Sequence, residues 1–288
     1  MRVVRTVAEL RTSLADARRT GARIGFVPTM GAFHEGHLAL MRRAREECAL
    51  VVVSLFVNPA QFGEASDLTN YPRDDARDET LARAAKVDLL FIPSVEEVYP
   101  PGFATSIEVR GVSESLEGAA RGPSHFRGVA IVVAKLLNMV QPTVAYFGQK
   151  DAQQALVVRR LVTDLDLPVT IEVCPTVREA DGLAMSSRNV RLAPDARVRA
   201  VGLSEALGDI ARAVAAGERS TAALLSRGHA RLAERGIGAD AVDYFAAVDA
   251  SSLAPATSVD GSTLFALAAR VGGVRLIDNV IVQPRSPA

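Results

Sequence analysis

The chain has 288 residues, a length that corresponds to about two average domains. Its 33 Lys and Arg balance its 33 Asp and Glu, so the formal net charge is zero. This balance argues against a protein that coats nucleic acid or an anionic membrane. A hydrophobic content of 49% excludes a disordered chain, and 5% aromatic residues with no Trp disfavour a single-strand nucleic-acid binder.

The first part of the chain alternates two kinds of segment. Buried, β-branched runs predict strands of a parallel sheet that is covered on both faces. Amphipathic stretches between them predict helices, so the pattern indicates an α/β fold with a Rossmann-like doubly wound parallel sheet. The predicted strands are 24–27, 50–57, 87–92, 144–147 and 169–173, and the predicted helices are 7–19, 36–48, 73–86, 129–139 and 152–164.

The composition changes after Arg178. Two Ala-, Leu- and Arg-rich helical stretches, 194–216 and 220–235, precede segments whose alternation is typical of an antiparallel sheet. We therefore predict a Rossmann-like domain over residues 1–176 and a smaller α+β domain over residues 177–288. The alternating segments of the second domain are 242–248, 262–269 and 274–282.

Two cysteines, Cys48 and Cys174, are too few for a disulfide framework or a four-thiolate zinc site. Each adjoins an apolar run, so we expect two reduced core thiols in a cytoplasmic protein. Residues 1–11 carry charges throughout and lack the apolar core of a signal peptide. The longest apolar stretch, 49–57, is too short to span a bilayer, so we expect no membrane partner.

Doubly wound sheets bind ligands at the carboxyl ends of their strands, and residues 28–37 follow the first buried strand and open a helix. Gly31 allows close backbone approach, and the helix start offers free N–H groups to an anion. His34 and His37 are three residues apart and share a helical face, which favours donation to phosphate oxygens. A pair of exposed histidines and a metal site remain open alternatives, although no third metal ligand is evident.

Two further segments follow predicted strands. Asn58 and Gln61 lie where Pro59 ends the second strand, and their amides suit the hydroxyls or carboxylate of a small substrate, or simply cap a turn. Lys150 offers a positive charge to a phosphate. Asp151 beside it is either a helix cap or a magnesium ligand through water.

Ser186, Ser187 and Arg188 lie at the predicted domain junction, where they form either a compact anion grip or a polar linker. The loop 121–129, which contains His125, is either an anion-binding loop or a surface turn. The P-loop, dinucleotide-binding and nucleophile-elbow motifs are absent from the sequence, which disfavours the enzyme classes that use them.

Taken together, these segments resemble a known family. The His-x-Gly-His turn with a later Ser-Ser-Arg loop is similar to the nucleotidyltransferase superfamily, and the whole set resembles the pantothenate synthetase (pantoate–β-alanine ligase) family. The similarity runs from about residue 20 to 192 and continues weakly through 272–279. The segments that carry it are 28–37, 56–62, 125–128, 147–151 and 181–189.

The resemblance implies ATP-dependent ligation of pantoate and β-alanine to pantothenate, a coenzyme A precursor, through a pantoyl adenylate with release of AMP and pyrophosphate. It also implies Mg²⁺ bound with ATP, a second domain that acts as a lid, a cytoplasmic homodimer, and no nucleic-acid partner. Two departures stand out. The loop 121–125 is one residue longer than usual, so Arg121 receives no role, and Phe33 replaces the more common Leu.

By the same resemblance, each motif residue receives an expected role. Six residues are expected to be catalytic: His34, His37, Lys150, Ser186, Ser187 and Arg188. ATP is expected to contact these six together with Met30, Gly31, Gly148, Asp151 and Met185, with Asp151 near the magnesium. Pantoate and β-alanine are expected to contact Gln61, Gln154, Asn58, Met30 and His125.

Three other functions compete with this interpretation. A related enzyme passes AMP or CMP to a phosphate ester, but Gln61 and Gln154 are neutral amides and favour a substrate with carboxylate and hydroxyl groups. A non-catalytic nucleotide-binding module would not need His34 and His37 together. A metal-dependent hydrolase would lack the requirement for ATP.

Overall fold

The computed structural model describes residues 1–63 and 68–284. Its contacts divide the chain into two compact units. The first unit comprises Met1–Gln149 and Gln153–Pro175. The second comprises Lys150–Ala152 and the described residues from Thr176 onward. Lys150 lies within the first predicted domain along the sequence, but its contacts group it with the second unit.

The first unit is built on a six-stranded parallel sheet with the order β1-β4-β3-β2-β5-β6. The chain winds outward in one direction from β2 and in the other from β5, so the two halves meet between these strands. The predicted doubly wound sheet is confirmed. The strands are β1 Arg2–Val4, β2 Ile24–Thr29, β3 Leu50–Leu55, β4 Leu89–Phe91, β5 Val144–Gly148 and β6 Thr170–Cys174.

Seven helices with described bounds accompany these strands. The predicted helix 129–139 begins earlier, at Pro123, because proline suits the first helical turn, where its missing N–H costs nothing. The helices are α1 Val7–Arg19, α2 Glu35–Glu47, α3 Asp75–Ala84, α4 Val95–Val98, α5 Glu117–Arg121, α6 Pro123–Val140 and α7 Ala152–Asp164.

The sheet is buried on both faces. Phe26 and Val52 point into a core with α1, α6 and α7, whereas their neighbours Val27 and Val53 point into a second core beneath α2 and α3. This double burial explains why the strands read as nearly continuous apolar runs. The second core also holds the chain's two cysteines, both free and buried.

The second unit packs helices on one face of a three-stranded antiparallel sheet, β7-β8-β9. The predicted helix 194–216 is two helices that meet at Val201. Gly202 follows, and a Cβ at that position would lie 2.8 Å from the Cβ of Arg235, so only glycine permits this close approach. The elements are β7 Val242–Asp249, β8 Thr263–Val271, β9 Val274–Val282, α8 Pro194–Ala200, α9 Gly202–Ala215 and α10 Thr221–Glu234.

Among the residues that the structure describes, no helix combines the length and the apolar character that a bilayer crossing requires.

Candidate active site

The turn between β2 and α2 is tight and strained. Gly31 and Ala32 have φ of +81° and +52°, both in the left-handed region. A Cβ at Gly31 would also lie 2.9 Å from a carboxylate oxygen of Asp78, so the position requires glycine. The Thr29 hydroxyl donates to the Ser54 carbonyl at 2.6 Å and accepts from the Gly31 N–H at 3.2 Å. These bonds direct the chain sharply from the strand towards the helix.

The two histidines cap the start of α2 reciprocally. The Gly36 N–H donates to Nδ1 of His34 at 3.1 Å, and the His34 N–H donates to Nδ1 of His37 at 3.3 Å. Their ring centroids lie 4.1 Å apart. Because each Nδ1 accepts a hydrogen bond, each neutral ring carries its proton on Nε2. The helix start therefore presents two Nε2–H donors beside the positive end of the helix dipole.

Asp78 of α3 supports this turn, and none of the sequence motifs includes it. Asp78 is 1% exposed, and its carboxylate accepts from the N–H groups of Ala32 and Phe33, each at 2.7 Å. Burial raises the pKa of Asp78, and the two backbone N–H groups act in the opposite direction. The sequence carries no signal for this role, because Asp78 lies in a polar helix among charged residues that face solvent.

Asn58 and Gln61 form a connected amide pair after β3. Asn58 is 1% exposed, and its carbonyl oxygen accepts from the Tyr99 hydroxyl at 2.8 Å and the Ala60 N–H at 3.2 Å. Its amide nitrogen donates to the Gly128 carbonyl and to Oε1 of Gln61. These four bonds use the whole hydrogen-bonding capacity of the side chain. Asn58 therefore supports Gln61 in this geometry, and the substrate contact predicted for Asn58 stays a prediction.

The predicted substrate residues of the first unit largely lie together. The Gln61 amide nitrogen lies 3.0 Å from Sδ of Met30, and Nδ1 of His125 lies 2.9 Å from the Gln61 carbonyl. Gln154 lies on a separate element, half-buried in the first turn of α7. Gly148 ends β5, and a Cβ there would contact nothing within 4 Å, so the space beside it is open.

In the second unit, Lys150 and Asp151 occupy a single 3₁₀ turn. The side chain of Lys150 is 19% exposed and that of Asp151 is 48% exposed, and the ammonium lies 3.6 Å from a carboxylate oxygen of Asp151. Within the described residues, no group of three or more His, Cys, Asp or Glu could hold a metal ion. The metal alternative for His34 and His37 therefore finds no third ligand among these residues, and the magnesium contact predicted for Asp151 stays a prediction.

Residues 177–189 form a short hairpin that carries the Ser-Ser-Arg motif, and we call it the phosphate hairpin after the phosphate contacts predicted for that motif. An isolated bridge pairs Arg178 with Ala184 across it. The Ser186 hydroxyl accepts from the Arg188 N–H at 3.2 Å. Arg197 of α8 pairs with the carboxylate of Glu179 at 2.8 Å and holds the pKa of that carboxyl below its usual value.

The predicted motif residues of the phosphate hairpin are neither deeply buried nor fully exposed. Each of the four is partly accessible to solvent, which suits side chains that contact a ligand. They are Met185, Ser186, Ser187 and Arg188.

A doubly wound sheet with a histidine-capped helix at the carboxyl end of β2 defines an α/β protein that gathers N–H donors at one strand end. The family model for pantoate-beta-alanine ligase matches residues 2–281. The chain belongs to the pantoate-beta-alanine ligase family and is a ligase. The resemblance drawn from the sequence motifs is thereby confirmed.

Individual relatives match over almost their whole length. A pantothenate synthetase from Heliobacterium modesticaldum is 51% identical over 286 residues, which cover 98% of this chain and 100% of that protein. The crystal structure of pantothenate synthetase from Thermus thermophilus matches with a TM-score of 0.92 and 48% identity, covering 99% of this chain and 100% of that chain. A pantoate-beta-alanine ligase from Francisella tularensis, complexed with beta-gamma ATP and beta-alanine, matches with a TM-score of 0.80 and 33% identity, covering 98% of this chain and 97% of that chain.

Proposed function

We propose that this chain joins pantoate to β-alanine at the expense of ATP and forms pantothenate, AMP and pyrophosphate. Family membership and the relatives complexed with or named for these substrates support the proposal. The observation that carries it is the reciprocal cap of His34 and His37, which fixes two Nε2–H donors at one helix start.

The chemistry divides into two steps. A carboxylate is a poor acyl donor because its leaving group is an oxide. Attack of the pantoate carboxylate on the α-phosphorus of ATP forms a pantoyl adenylate and expels pyrophosphate. The β-alanine amine then attacks the acyl carbon, loses a proton, and displaces AMP, which is a good leaving group.

The proposed roles in the first step follow from charge. Negative charge builds on the α-phosphate oxygens in the transition state, and fixed donors such as the Nε2–H groups of His34 and His37 stabilise it without reorganisation. Lys150 supplies a point charge and Arg188 a forked donor for the other phosphate oxygens, with Ser186 and Ser187 as smaller donors. Met30, Gly31, Gly148 and Met185 shape the nucleotide site.

The proposed pantoate site uses neutral amides. Gln61 and Gln154 bind the hydroxyls and carboxylate of pantoate, and His125 lines the same region beside the Gln61 carbonyl. Asn58 lies beside Gln61 in this proposed site, and its amide nitrogen donates to Oε1 of Gln61 and holds that side chain in place. Neutral amides bind a carboxylate without neutralising it, so the carboxylate keeps the electron density that it needs as a nucleophile.

Magnesium enters this proposal as part of the substrate, Mg-ATP. Mg²⁺ usually keeps several waters and takes its remaining ligands from phosphates and one or two carboxylates. The half-exposed carboxylate of Asp151 beside Lys150 suits such an outer contact through water. We further propose that the enzyme is a homodimer and that it works in the cytoplasm, where its two free thiols stay reduced.

Pyrophosphate release tests the proposed function. Purified protein receives Mg-ATP with pantoate alone, and β-alanine is then added. The proposal expects a single turnover of pyrophosphate with pantoate and sustained release once β-alanine is present. If folded protein released no pyrophosphate when pantoate was added, the proposed function would be overturned. A response to pantetheine phosphate in its place would instead identify an AMP-transferring enzyme.

A further inference from the structure

Strand β9 of the second unit contacts the phosphate hairpin through Asp278. The side chain of Asp278 is 1% exposed and accepts from both terminal nitrogens of Arg178, at 2.6 and 3.1 Å. Arg178 also donates to the Gly182 carbonyl across the hairpin turn. A bidentate pair of this kind fixes orientation as well as distance. Asp278 therefore determines where the base of the hairpin lies.

The next residue, Asn279, contacts Lys150. The Asn279 amide nitrogen donates to the Lys150 carbonyl at 2.9 Å, and the Asn279 N–H donates to the Asp278 carboxylate at 2.7 Å. Successive residues of a strand point to opposite faces. Asp278 shares its face with Leu276, which packs in the same core as Leu183 of the hairpin, and Asn279 takes the opposite face.

We propose that Asp278 and Asn279 are positioning residues that hold Lys150 and the phosphate hairpin as one phosphate-binding element. The proposal rests on the proposed function, because that function assigns phosphate contacts to Lys150 and to the Ser-Ser-Arg motif. Adjacent residues of one strand then set the spacing between the ammonium and the hairpin donors. This arrangement also accounts for the grouping of Lys150–Ala152 with the second unit.

Two ion pairs of the same sheet distinguish a positioning role from ordinary stabilisation of the fold. Arg275 of β9 pairs with Asp243 of β7 at 2.5 Å, so this ion pair joins two strands of the sheet to each other. The Asp278 pair instead joins the sheet to a phosphate segment. The two carboxylates should therefore differ in their effect on nucleotide binding.

A double-mutant cycle on the full chain tests the contact to Lys150. Asn279→Ala should raise the Kd for Mg-ATP about tenfold, because a displaced carbonyl moves the Lys150 ammonium away from its phosphate. In a Lys150→Ala background the same change should have almost no effect, since no ammonium remains to be misplaced. An equal loss in both backgrounds would show general destabilisation and overturn the proposal, as would an unchanged Kd for Asn279→Ala.

Matched carboxylate variants test the contact to the hairpin. Asp278→Asn should weaken Mg-ATP binding and leave the KM for β-alanine unchanged, whereas Asp243→Asn should change neither. Equal effects of the two variants would contradict the proposal. If circular dichroism shows that Asn279→Ala does not fold, Asn279→Asp replaces it, because it keeps the shape and turns the donor into an acceptor.

The two proposals fail in different ways. Wild-type protein that binds Mg-ATP but forms no pantothenate would overturn the proposed function, while the Kd values of the variants would still measure the positioning role. Wild-type activity with variants that bind Mg-ATP normally would overturn the positioning role alone.

Discussion

The two segments that we propose to bind phosphate in this enzyme are held in different ways. The cap formed by His34 and His37 consists of bonds between residues two or three apart, and Asp78 supports the turn before it from a distance along the chain. The base of the phosphate hairpin is anchored by a partner far along the chain, since Arg178 and Asp278 are 100 residues apart. Local bonds form as soon as the helix does, whereas distant bonds require the finished fold. Substitutions should therefore affect chemistry in the first segment and binding geometry in the second.

The largest effect is expected from His37→Ala. Loss of a fixed donor to a developing charge typically costs about 3–4 kcal/mol, so adenylate formation should slow by two to three orders of magnitude. The rate of pyrophosphate release with pantoate measures it. His229→Ala is the matched control, because His229 is exposed on α10 and should leave the rate unchanged. A full rate in His37→Ala would remove the proposed transition-state role.

Asp78→Asn tests the distant support of the histidine turn. An amide offers a single acceptor oxygen where the carboxylate offers two, so the Ala32 or Phe33 N–H loses its partner. The free energy of unfolding should fall by about 1–3 kcal/mol, and pyrophosphate release should slow as well. Asp75→Asn on the same helix is the exposed control. A normal rate with reduced stability would show that the turn keeps its shape without Asp78.

Gln61→Ala should act on pantoate more than on turnover. Loss of one amide contact should raise the KM for pantoate about tenfold, with a smaller change in kcat. Steady-state kinetics at saturating Mg-ATP and β-alanine measure the effect. Gln283→Ala removes an exposed amide and is the control. If kcat fell while the KM for pantoate stayed constant, Gln61 would stabilise the transition state rather than bind pantoate in the ground state.

The smallest effect is expected from Arg197→Gln, which removes the ion pair between Arg197 and Glu179 of the phosphate hairpin. Partly exposed ion pairs contribute about 1 kcal/mol or less. Arg197 lowers the pKa of Glu179 in the folded protein, so the pair stabilises the fold above the ordinary carboxyl pKa of 4.5. That stability is lost as pH falls through the lowered pKa.

Urea unfolding at neutral and acidic pH checks this expectation. Wild type and Arg197→Gln should differ at neutral pH and converge in acid. Arg199→Gln, on the same helix with an exposed partner, should match wild type at both values. A difference that persists in acid would assign the effect to packing rather than to charge.

Much of the fold was predictable because its signals are local. The bounds of α1, α7 and β9 equal the predicted ones, since periodicity and turn residues mark them clearly. Strand β1 was missed because its three residues include a charged one. The break at Val201 was missed because the helical pattern continues through it.

Only those features of the site that follow from the spacing of nearby residues in the sequence were predictable. Three-residue spacing indicated that His34 and His37 lie together, but not that each caps the helix through Nδ1. Asp78 and Asn279 bond to groups 46 and 129 residues away, and no single sequence shows which distant segments meet. Pro123 could have indicated the true start of α6, because proline favours that position.

Because both cysteines are buried, their reactivity reports how often the first unit opens. Cys48 and Cys174 lie in its core, and the rest of the chain contains no cysteine. Burial raises the pKa of the Cys174 thiol to about 11, which further slows its alkylation. The rate at which a thiol reagent labels the native protein therefore measures how often the first unit opens, without contribution from the second. Added Mg-ATP should slow the labelling only to the extent that nucleotide binding makes opening of the first unit rarer.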